Sequence, residues 1–123
     1  MLDLNSILVF SEDPGRLADF YKKVLQKEPD FRDQGYYGFS AGKTLLMFGP
    51  HEKVKGKNPN PERLMFNFAT DDVKGEFVRI SGLGAMTVAE PYQMEGDPGW
   101  IATFSDPDGN YFQLMTPWEA ETK

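Results

Sequence analysis

The chain repeats one pattern of apolar runs and turn residues in its two halves, and this repeat constrains the fold more than any other feature. In the first half, an apolar run at residues 6–10 leads through Asp13 and Pro14 into an amphipathic segment. That half closes with two apolar runs, 36–40 and 44–48, on either side of a glycine-containing turn. Duplication of this kind predicts two similar modules, with the working site between the copies.

The second half follows the same order with different residues. An apolar run at 65–69 leads through a pair of aspartates into a second amphipathic segment. Apolar runs at 100–105 and 111–116 then flank residues 106–110, whose Asp, Pro, Gly and Asn residues are typical of a tight turn. Further short strands are predicted near 29–32 and 86–90. Each half therefore predicts the order strand, helix, strand, strand, strand.

Capping residues and periodicity predict one helix in each half. Asp13 can cap the first helix, and Pro14 suits its first position. Its buried face is predicted from apolar residues at helical spacing, namely Leu17, Phe20, Tyr21, Val24 and Leu25. The second helix is expected to begin after Asp71 or Asp72 and to end at the glycines that follow Ser81.

Composition narrows the class of protein. The chain has 123 residues, 40% of them apolar, which suits one folded domain. It has no Cys, so disulfides and zinc–thiolate sites are excluded. No apolar run is long enough to span a bilayer and no export signal opens the chain, so we expect a cytoplasmic protein without a membrane partner. The net charge of −6 argues against nucleic acid as a partner.

We interpret the chain as a single domain, 1–123, with a first module at 1–50 and a second at 64–118. Residues 51–63 are polar and contain prolines, so they are predicted to be a linker. Three lysines in this linker, at positions 53, 55 and 57, are interpreted as solvated charges and not as a binding patch. The linker is long for a compact domain, which hints at mobility or a functional edge.

Two stretches of sequence resemble the vicinal oxygen chelate superfamily. The first runs from Asp13 through Phe20 and Tyr21 to Leu25, and the second from Asp106 to Leu114. This superfamily includes glyoxalase I, extradiol dioxygenases, methylmalonyl-CoA epimerase, and fosfomycin- and bleomycin-resistance proteins. The resemblance implies an α+β fold in which two tandem βαβββ modules form one curled mixed sheet with a U-shaped cleft. It also implies a homodimer.

Metal-dependent members of that superfamily carry ligands on the first and last strand of each module. By spacing, the resemblance places these positions at Ser6 (or Asn5), Leu46, Met65 and Gln113. A divalent transition metal needs several strong donors, and these side chains do not supply them. The only histidine, His51, falls in the linker. The sequence therefore predicts no metal and no other cofactor.

No catalytic residue is predicted either. The chain lacks a Cys and a plausible Ser–His pair, so no activated nucleophile can be named. The carboxylates Asp106 and Asp108 are interpreted as turn-forming residues and not as an acid–base pair.

Strand alternation predicts which side chains face the cleft. The predicted ligand-binding residues are Ser6, Leu8, Tyr36, Leu46, Phe48, Met65, Asn67, Met94, Trp100, Thr103, Gln113 and Met115. Within this set Met94 and Trp100 belong to the segment 92–100, whose composition suits a mobile lip over a ligand. A mostly apolar lining with a few polar groups is typical of a small-molecule pocket. The alternative is an interior filled by the same side chains.

These observations favour a metal-independent binding protein, similar to bleomycin-resistance members, that sequesters an apolar or cationic aromatic ligand. The negative charge would attract cationic ligands. One alternative is a glyoxalase- or dioxygenase-like lyase, isomerase or oxidoreductase with an atypical metal site. Another is an interaction module with a vestigial cleft.

Overall fold

A computed structural model describes residues 1–118, which form two α-helices, eight strands and one turn of 3₁₀ helix. The elements of the first module are β1 (Ser6–Ser11), α1 (Pro14–Leu25), β2 (Phe31–Asp33), β3 (Tyr36–Ala41) and β4 (Thr44–Pro50). The 3₁₀ turn (Pro61–Arg63) precedes β5 (Met65–Ala69), α2 (Val73–Ser81), β6 (Met86–Tyr92), β7 (Ile101–Ser105) and β8 (Tyr111–Met115). The predicted α+β class with two βαβββ modules is confirmed.

The chain divides into two compact units, the first comprising Met1–Lys57 and the second beginning at Asn58. Each contains a four-stranded mixed sheet, with order β1-β4-β3-β2 in the first and β5-β8-β7-β6 in the second. In each sheet, the strand before the helix pairs in parallel with the last strand of the module, and the other pairs are antiparallel. The duplicated sequence pattern thus corresponds to a duplicated topology.

Helix α1 begins and ends as its sequence predicts. The Asp13 carboxylate accepts a hydrogen bond from the backbone N–H of Arg16 at 3.1 Å, and Pro14 occupies the first turn. The helix ends at Gln26, which adopts a left-handed conformation with φ 57°. Its apolar stripe places four residues in the core of the first unit, namely Leu17, Ala18, Tyr21 and Val24.

Helix α2 is shorter and buries less. Asp72 caps it by accepting from the backbone N–H of Gly75 at 3.0 Å. Only Val73 and Ile80 are buried along its nine residues. Phe77 completes its contact with the sheet by stacking on Phe104, with ring centroids 5.2 Å apart.

Aromatic rings fill both cores. In the first unit, Tyr21 of α1 stacks on Phe48 with centroids 5.0 Å apart, and Phe39 contacts the same ring edge-on. In the second, Phe104 also stacks on Phe112 at 5.5 Å. These contacts define the helix-facing side of each sheet, and alternation then assigns the other side.

The two hairpins that close the modules have different turns. In the first, Ala41 pairs with Thr44 across Gly42 and Lys43, and Gly42 has φ 65°. Lys43 does not have a positive φ, and a positive φ at the first loop residue alone is typical of a type II′ turn, which favours glycine there. In the second, Ser105 pairs with Tyr111 across the five residues 106–110.

Asp106 organises the longer turn, as predicted for a turn-forming residue. Its carboxylate is buried and accepts hydrogen bonds from the backbone N–H groups of Asp108 and Asn110, both at 2.9 Å, and from the Asn110 amide at 3.1 Å. Asn58, which lies outside the turn, also stabilises it, because its backbone N–H donates to the Asp108 carbonyl at 2.8 Å.

Candidate functional site

The candidate site is the side of the second sheet that faces away from Phe104 and Phe112. Strand register arranges this side in three rows that cross the sheet from β6 to β5. The outer rows are Met86, Ser105, Tyr111 and Met65 on one side, and Tyr92, Ile101, Met115 and Ala69 on the other. The central row is Ala89, Thr103, Gln113 and Asn67. We call these twelve residues the Gln113 face.

The central row carries the polar chemistry. Thr103 lies directly opposite Gln113, as the sequence predicts, and the Gln113 side-chain N–H donates to the Thr103 hydroxyl at 3.0 Å. This bond fixes the amide so that its oxygen can accept a hydrogen bond from a ligand. Asn67 lies beside Gln113 on β5, about 5 Å away across the ladder, and is exposed. A hydroxyl and two amides are therefore aligned across the sheet.

Apolar side chains border this polar row. Met65 and Met115 are half-buried, one in each outer row, and Met86 is 65% exposed at the sheet edge. Tyr111 and Tyr92 add an aromatic ring to each of these rows. Thioethers adapt their shape to irregular or flat ligands and make favourable contacts with aromatic rings. None of the twelve side chains is charged.

The predicted ligand-binding set contains five of these twelve side chains, namely Met65, Asn67, Thr103, Gln113 and Met115, and omits the other seven. Two of the omitted side chains, Met86 and Tyr92, lie on β6. Strand β6 contains two register irregularities, one between Thr87 and Ala89 and one between Ala89 and Tyr92. Each inserts a residue, so simple alternation along β6 gives the wrong side. The signal that could have found them is the pairing with the regular strand β7.

The segment predicted as a lip, residues 92–100, is tied together by its own hydrogen bonds. Gln93 donates from its side chain to the Pro98 carbonyl at 2.8 Å, and the Asp97 carboxylate accepts from Gly99 at 2.8 Å. Met94 is exposed at the turn of this segment.

Trp100 does not share the Gln113 face. The Lys74 ammonium of α2 lies over its ring, 3.8 Å from the centroid. Alternation along β7 places Trp100 on the same side of the sheet as Ala102 and Phe104, which is the side that faces the helix. The contact with Lys74 joins positions on α2 and the start of β7, which no local pattern in the sequence indicates.

The first module supplies the other predicted site residues, and their placement differs from the sequence interpretation. Leu46 and Phe48 are 3% and 0% exposed, and Phe48 stacks on Tyr21 of α1. They therefore lie against the helix. Ser6 and Leu8 pair with Leu45 and Met47 on the opposite side of the sheet.

The difference arises from the turns. Ser6 pairs with Leu45 as Met65 pairs with Tyr111 in the second module. Two residues further along, Met47 therefore corresponds to Gln113. The spacing carried over from the resemblance gave Leu46, and it took no account of the different hairpin loops, which have two residues in the first module and five in the second.

Tyr36 lies on the same side of the first sheet as Met47. Its ring covers Gly49, and a Cβ atom at that glycine would collide with it. Phe31 similarly lies over Gly38, where a Cβ atom would be 3.3 Å from the Phe31 Cβ. The first module thus presents apolar and aromatic side chains where the second presents its polar row.

The metal ligands implied by the resemblance do not fit the residues present. By register the four positions hold a hydroxyl, two thioethers and one amide, from Ser6, Met47, Met65 and Gln113. Divalent transition metals in such proteins require imidazole or carboxylate donors. Throughout residues 1–118, no group of three His, Asp or Glu side chains is placed to hold an ion.

Sequence comparison identifies the family to which the chain belongs. A family model described as a glyoxalase-like domain matches residues 6–115. The chain is therefore a member of the glyoxalase-like domain family, and the predicted relationship to glyoxalase and bleomycin-resistance proteins is confirmed. None of the curated proteins matches the sequence.

Solved structures share the fold over nearly their whole length. A glyoxalase/bleomycin resistance protein/dioxygenase family enzyme from Burkholderia phytofirmans PsJN is 21% identical with a TM-score of 0.77, covering 94% of this chain and 98% of that chain. Lactoylglutathione lyase from Agrobacterium tumefaciens is 18% identical with a TM-score of 0.75, covering 97% and 98%. TioX from Micromonospora sp. ML1 is 14% identical with a TM-score of 0.75, covering 94% and 98%. At these identities the similarity establishes the fold alone.

Neither of the two helices in residues 1–118 is long and apolar enough to cross a membrane. The homodimer and the cytoplasmic location stay predictions.

Proposed function

We propose that the protein binds a planar, apolar or cationic aromatic small molecule on the Gln113 face, without a metal. The observation that carries this proposal is the row of Thr103, Gln113 and Asn67 between two rows of mostly apolar side chains. Binding sites for small molecules combine such apolar area with a few fixed polar groups. The apolar rows would exclude water, and the two amides would orient the ligand.

The chemistry of the face favours an aromatic ligand with N–H donors. Met65 and Met115 offer polarizable thioethers to an aromatic ring, and Tyr111 offers a ring of its own. The Gln113 amide donates to Thr103 at 3.0 Å, so its oxygen can accept from the ligand. Attraction of a cation would come from the net charge of −6 and would weaken with salt.

Isothermal titration calorimetry with two planar probes tests the proposal. We expect 9-aminoacridine, a cation with N–H donors, to bind with a measurable heat, and acridine in its neutral form at pH 8 to bind more weakly. The substitution Gln113→Met gives the Gln113 face the residue that the first module has at the equivalent position, Met47. Loss of one ligand hydrogen bond predicts about tenfold weaker binding of 9-aminoacridine by this variant.

Gln34→Met provides the matched control. It makes the same chemical change at an exposed turn residue between β2 and β3, and it should leave the affinity unchanged. Absence of binding by either probe, or equal loss of affinity in both variants, would refute the proposal.

The enzyme alternative makes a different prediction. Elemental analysis of the purified protein would then find about one transition-metal ion per chain, and removal of that ion would abolish a measurable lyase, isomerase or oxygenase reaction. That result would replace the binding proposal, because the donors at Ser6, Met47, Met65 and Gln113 do not account for such an ion.

A further inference from the structure

A cavity in the first unit has a chemistry of its own. It is a depression open to solvent, with a volume of about 510 Å³, and is lined by Ser11, Glu12, Pro50, His51, Glu52 and Lys55. We propose that this cavity binds a small zwitterion, a free amino acid or a dipeptide. The proposal is independent of the function proposed for the Gln113 face.

The cavity forms where two parallel strands end side by side. Ser11 at the end of β1 pairs with Pro50 at the end of β4. From there β1 continues into α1, whereas β4 continues into residues 51–57, which we call the strap. The end of a pair of parallel strands with diverging connections is a common position for ligand sites in α/β proteins.

Specific hydrogen bonds hold the strap beside the strand ends. The Glu12 carboxylate accepts from the backbone N–H of Gly56 at 2.9 Å, a bond between residues far apart in sequence. Gly56 has φ 64°, a conformation that glycine adopts at little cost. The His51 carbonyl accepts from Val54 at 3.0 Å. These bonds position the backbone of the strap beside the strand ends, and of the residues that line the cavity only Ser11 is buried.

The hydrogen bond that His51 makes leaves a donor on its other ring nitrogen. Its Nδ1 accepts from the backbone N–H of Lys53 at 3.1 Å, so the neutral ring carries its proton on Nε2. Its ring also packs against Phe10 with centroids 4.9 Å apart and an interplanar angle of 69°. Both contacts fix the plane of the imidazole.

This orientation argues against a hydrolytic Ser–His–Glu site. Ser11 is 1% exposed, and its hydroxyl accepts from the backbone N–H of Asp13 at 3.0 Å. A general base for Ser11 would need an unprotonated imidazole nitrogen directed at that hydroxyl. Nδ1 of His51 instead accepts from Lys53. Binding is the activity that this geometry supports.

The residues that line the cavity carry both positive and negative charges, which suits a ligand that also carries one charge of each sign. Lys55 and the His51 N–H can hold a carboxylate, and Glu52 can hold an ammonium group. Glu12 adds a second carboxylate to the lining, and it accepts from the backbone N–H of Gly56. Within residues 1–118 no ion pair joins Glu52 to Lys55, so the two charges do not neutralise each other. A ligand with one charge would satisfy one partner and meet repulsion from the other. A zwitterion satisfies both.

Nuclear magnetic resonance provides a direct test because His51 is the only histidine of the chain. Its imidazole C–H signals report on this cavity alone. We expect L-alanyl-L-alanine to shift them in a saturable way, with a dissociation constant in the millimolar range. N-acetyl-alanyl-alanine lacks the ammonium, and alanyl-alanine amide lacks the carboxylate. Each should bind at least about tenfold more weakly, the equivalent of one lost charged hydrogen bond.

Two lysine variants separate a specific site from general attraction by the basic strap. Lys55→Gln should weaken binding of L-alanyl-L-alanine at least tenfold. Lys53→Gln should not, because Lys53 contributes its backbone N–H to His51 and its side chain does not line the cavity. No saturable shift, equal shifts with all three peptides, or equal loss in both variants would overturn the proposal. Loss of acridine binding would not affect it.

Discussion

The two modules have the same topology but present different chemistry on the side of the sheet opposite the helix. In the second, Gln113 lies beside Thr103 and Asn67 in a polar row. In the first, the equivalent position is Met47, with Leu8 beside it. The buried residues that face the helices are mostly apolar or aromatic in both modules. The helix-facing side therefore maintains the shared fold, and the other side is where the copies have diverged.

The helices differ in how they are held. Helix α1 has twelve residues and buries four of them, whereas α2 has nine and buries two. The second module compensates with a stack of three rings, Phe77, Phe104 and Phe112. We expect α2 to depend more on its cap and on this stack than α1 does on its own cap. The following predictions test these differences, from the largest effect to the smallest.

Replacement of the central ring in the first module has the largest expected effect. Phe48 is fully buried and contacts both Tyr21 and Phe39. Phe48→Ala should lower the free energy of unfolding by about 3–5 kcal/mol, measured by urea denaturation. Phe31→Ala is the control, because Phe31 is 42% exposed on the same sheet and should cost much less. Equal losses would show that Phe48 is not the centre of this core.

The turns provide the next test. Asp106→Ala removes the acceptor of three hydrogen bonds at a buried position, with an expected loss of about 2–3 kcal/mol. Gly42→Ala in the first module introduces a side chain at φ 65°, with an expected loss of about 1 kcal/mol. Thermal unfolding of both variants measures the difference. A larger effect at Gly42 would contradict the view that the longer turn carries more of the stability.

The helix caps come third. Asp13→Ala and Asp72→Ala each remove one side-chain bond to the first turn, worth about 1 kcal/mol. We expect the larger loss for Asp72, because α2 buries fewer residues. Chemical denaturation followed by circular dichroism would measure both losses. If Asp13→Ala were the more damaging substitution, the proposed dependence of α2 on its cap would be wrong.

The smallest effect is expected at an exposed ion pair found in the first module. The Lys27 ammonium, 2.7 Å from Asp30, together with the backbone N–H of Ser40, holds the pKa of Asp30 below its ordinary value of 3.8. The stabilisation is therefore present above pH 3.8 and is lost as the pH falls through the lowered pKa. Asp30→Asn should reduce the melting temperature slightly at pH 6, and the difference should disappear in acid. A difference that grew as the pH fell would contradict this assignment.

Much of the fold follows from local signals in the sequence. Asp13, Pro14 and the apolar stripe predicted α1, and the turn residues predicted both closing hairpins. In the second module the predicted pairing of Thr103 with Gln113 is confirmed, because β7 and β8 are regular strands. These features depend on residues that are close along the chain, where propensity and periodicity are informative.

The assignments that differ depend on register and on distant contacts. A shift of one residue moves a side chain to the other side of a sheet, so the unequal hairpin loops were enough to misplace Leu46 and Phe48. The irregularities of β6 concealed Met86 and Tyr92. The contact between Lys74 and Trp100 joins two elements whose packing the sequence pattern does not specify.

The close approach of Tyr36 to Gly49 has a consequence for mutational tolerance. Any larger residue at position 49 must displace the tyrosine ring, because a Cβ atom there has no room. A saturation library should therefore recover only glycine at this position while Tyr36 is retained. Pairing the library with a small residue at position 36 should restore tolerance, so the two sites would change together and not singly.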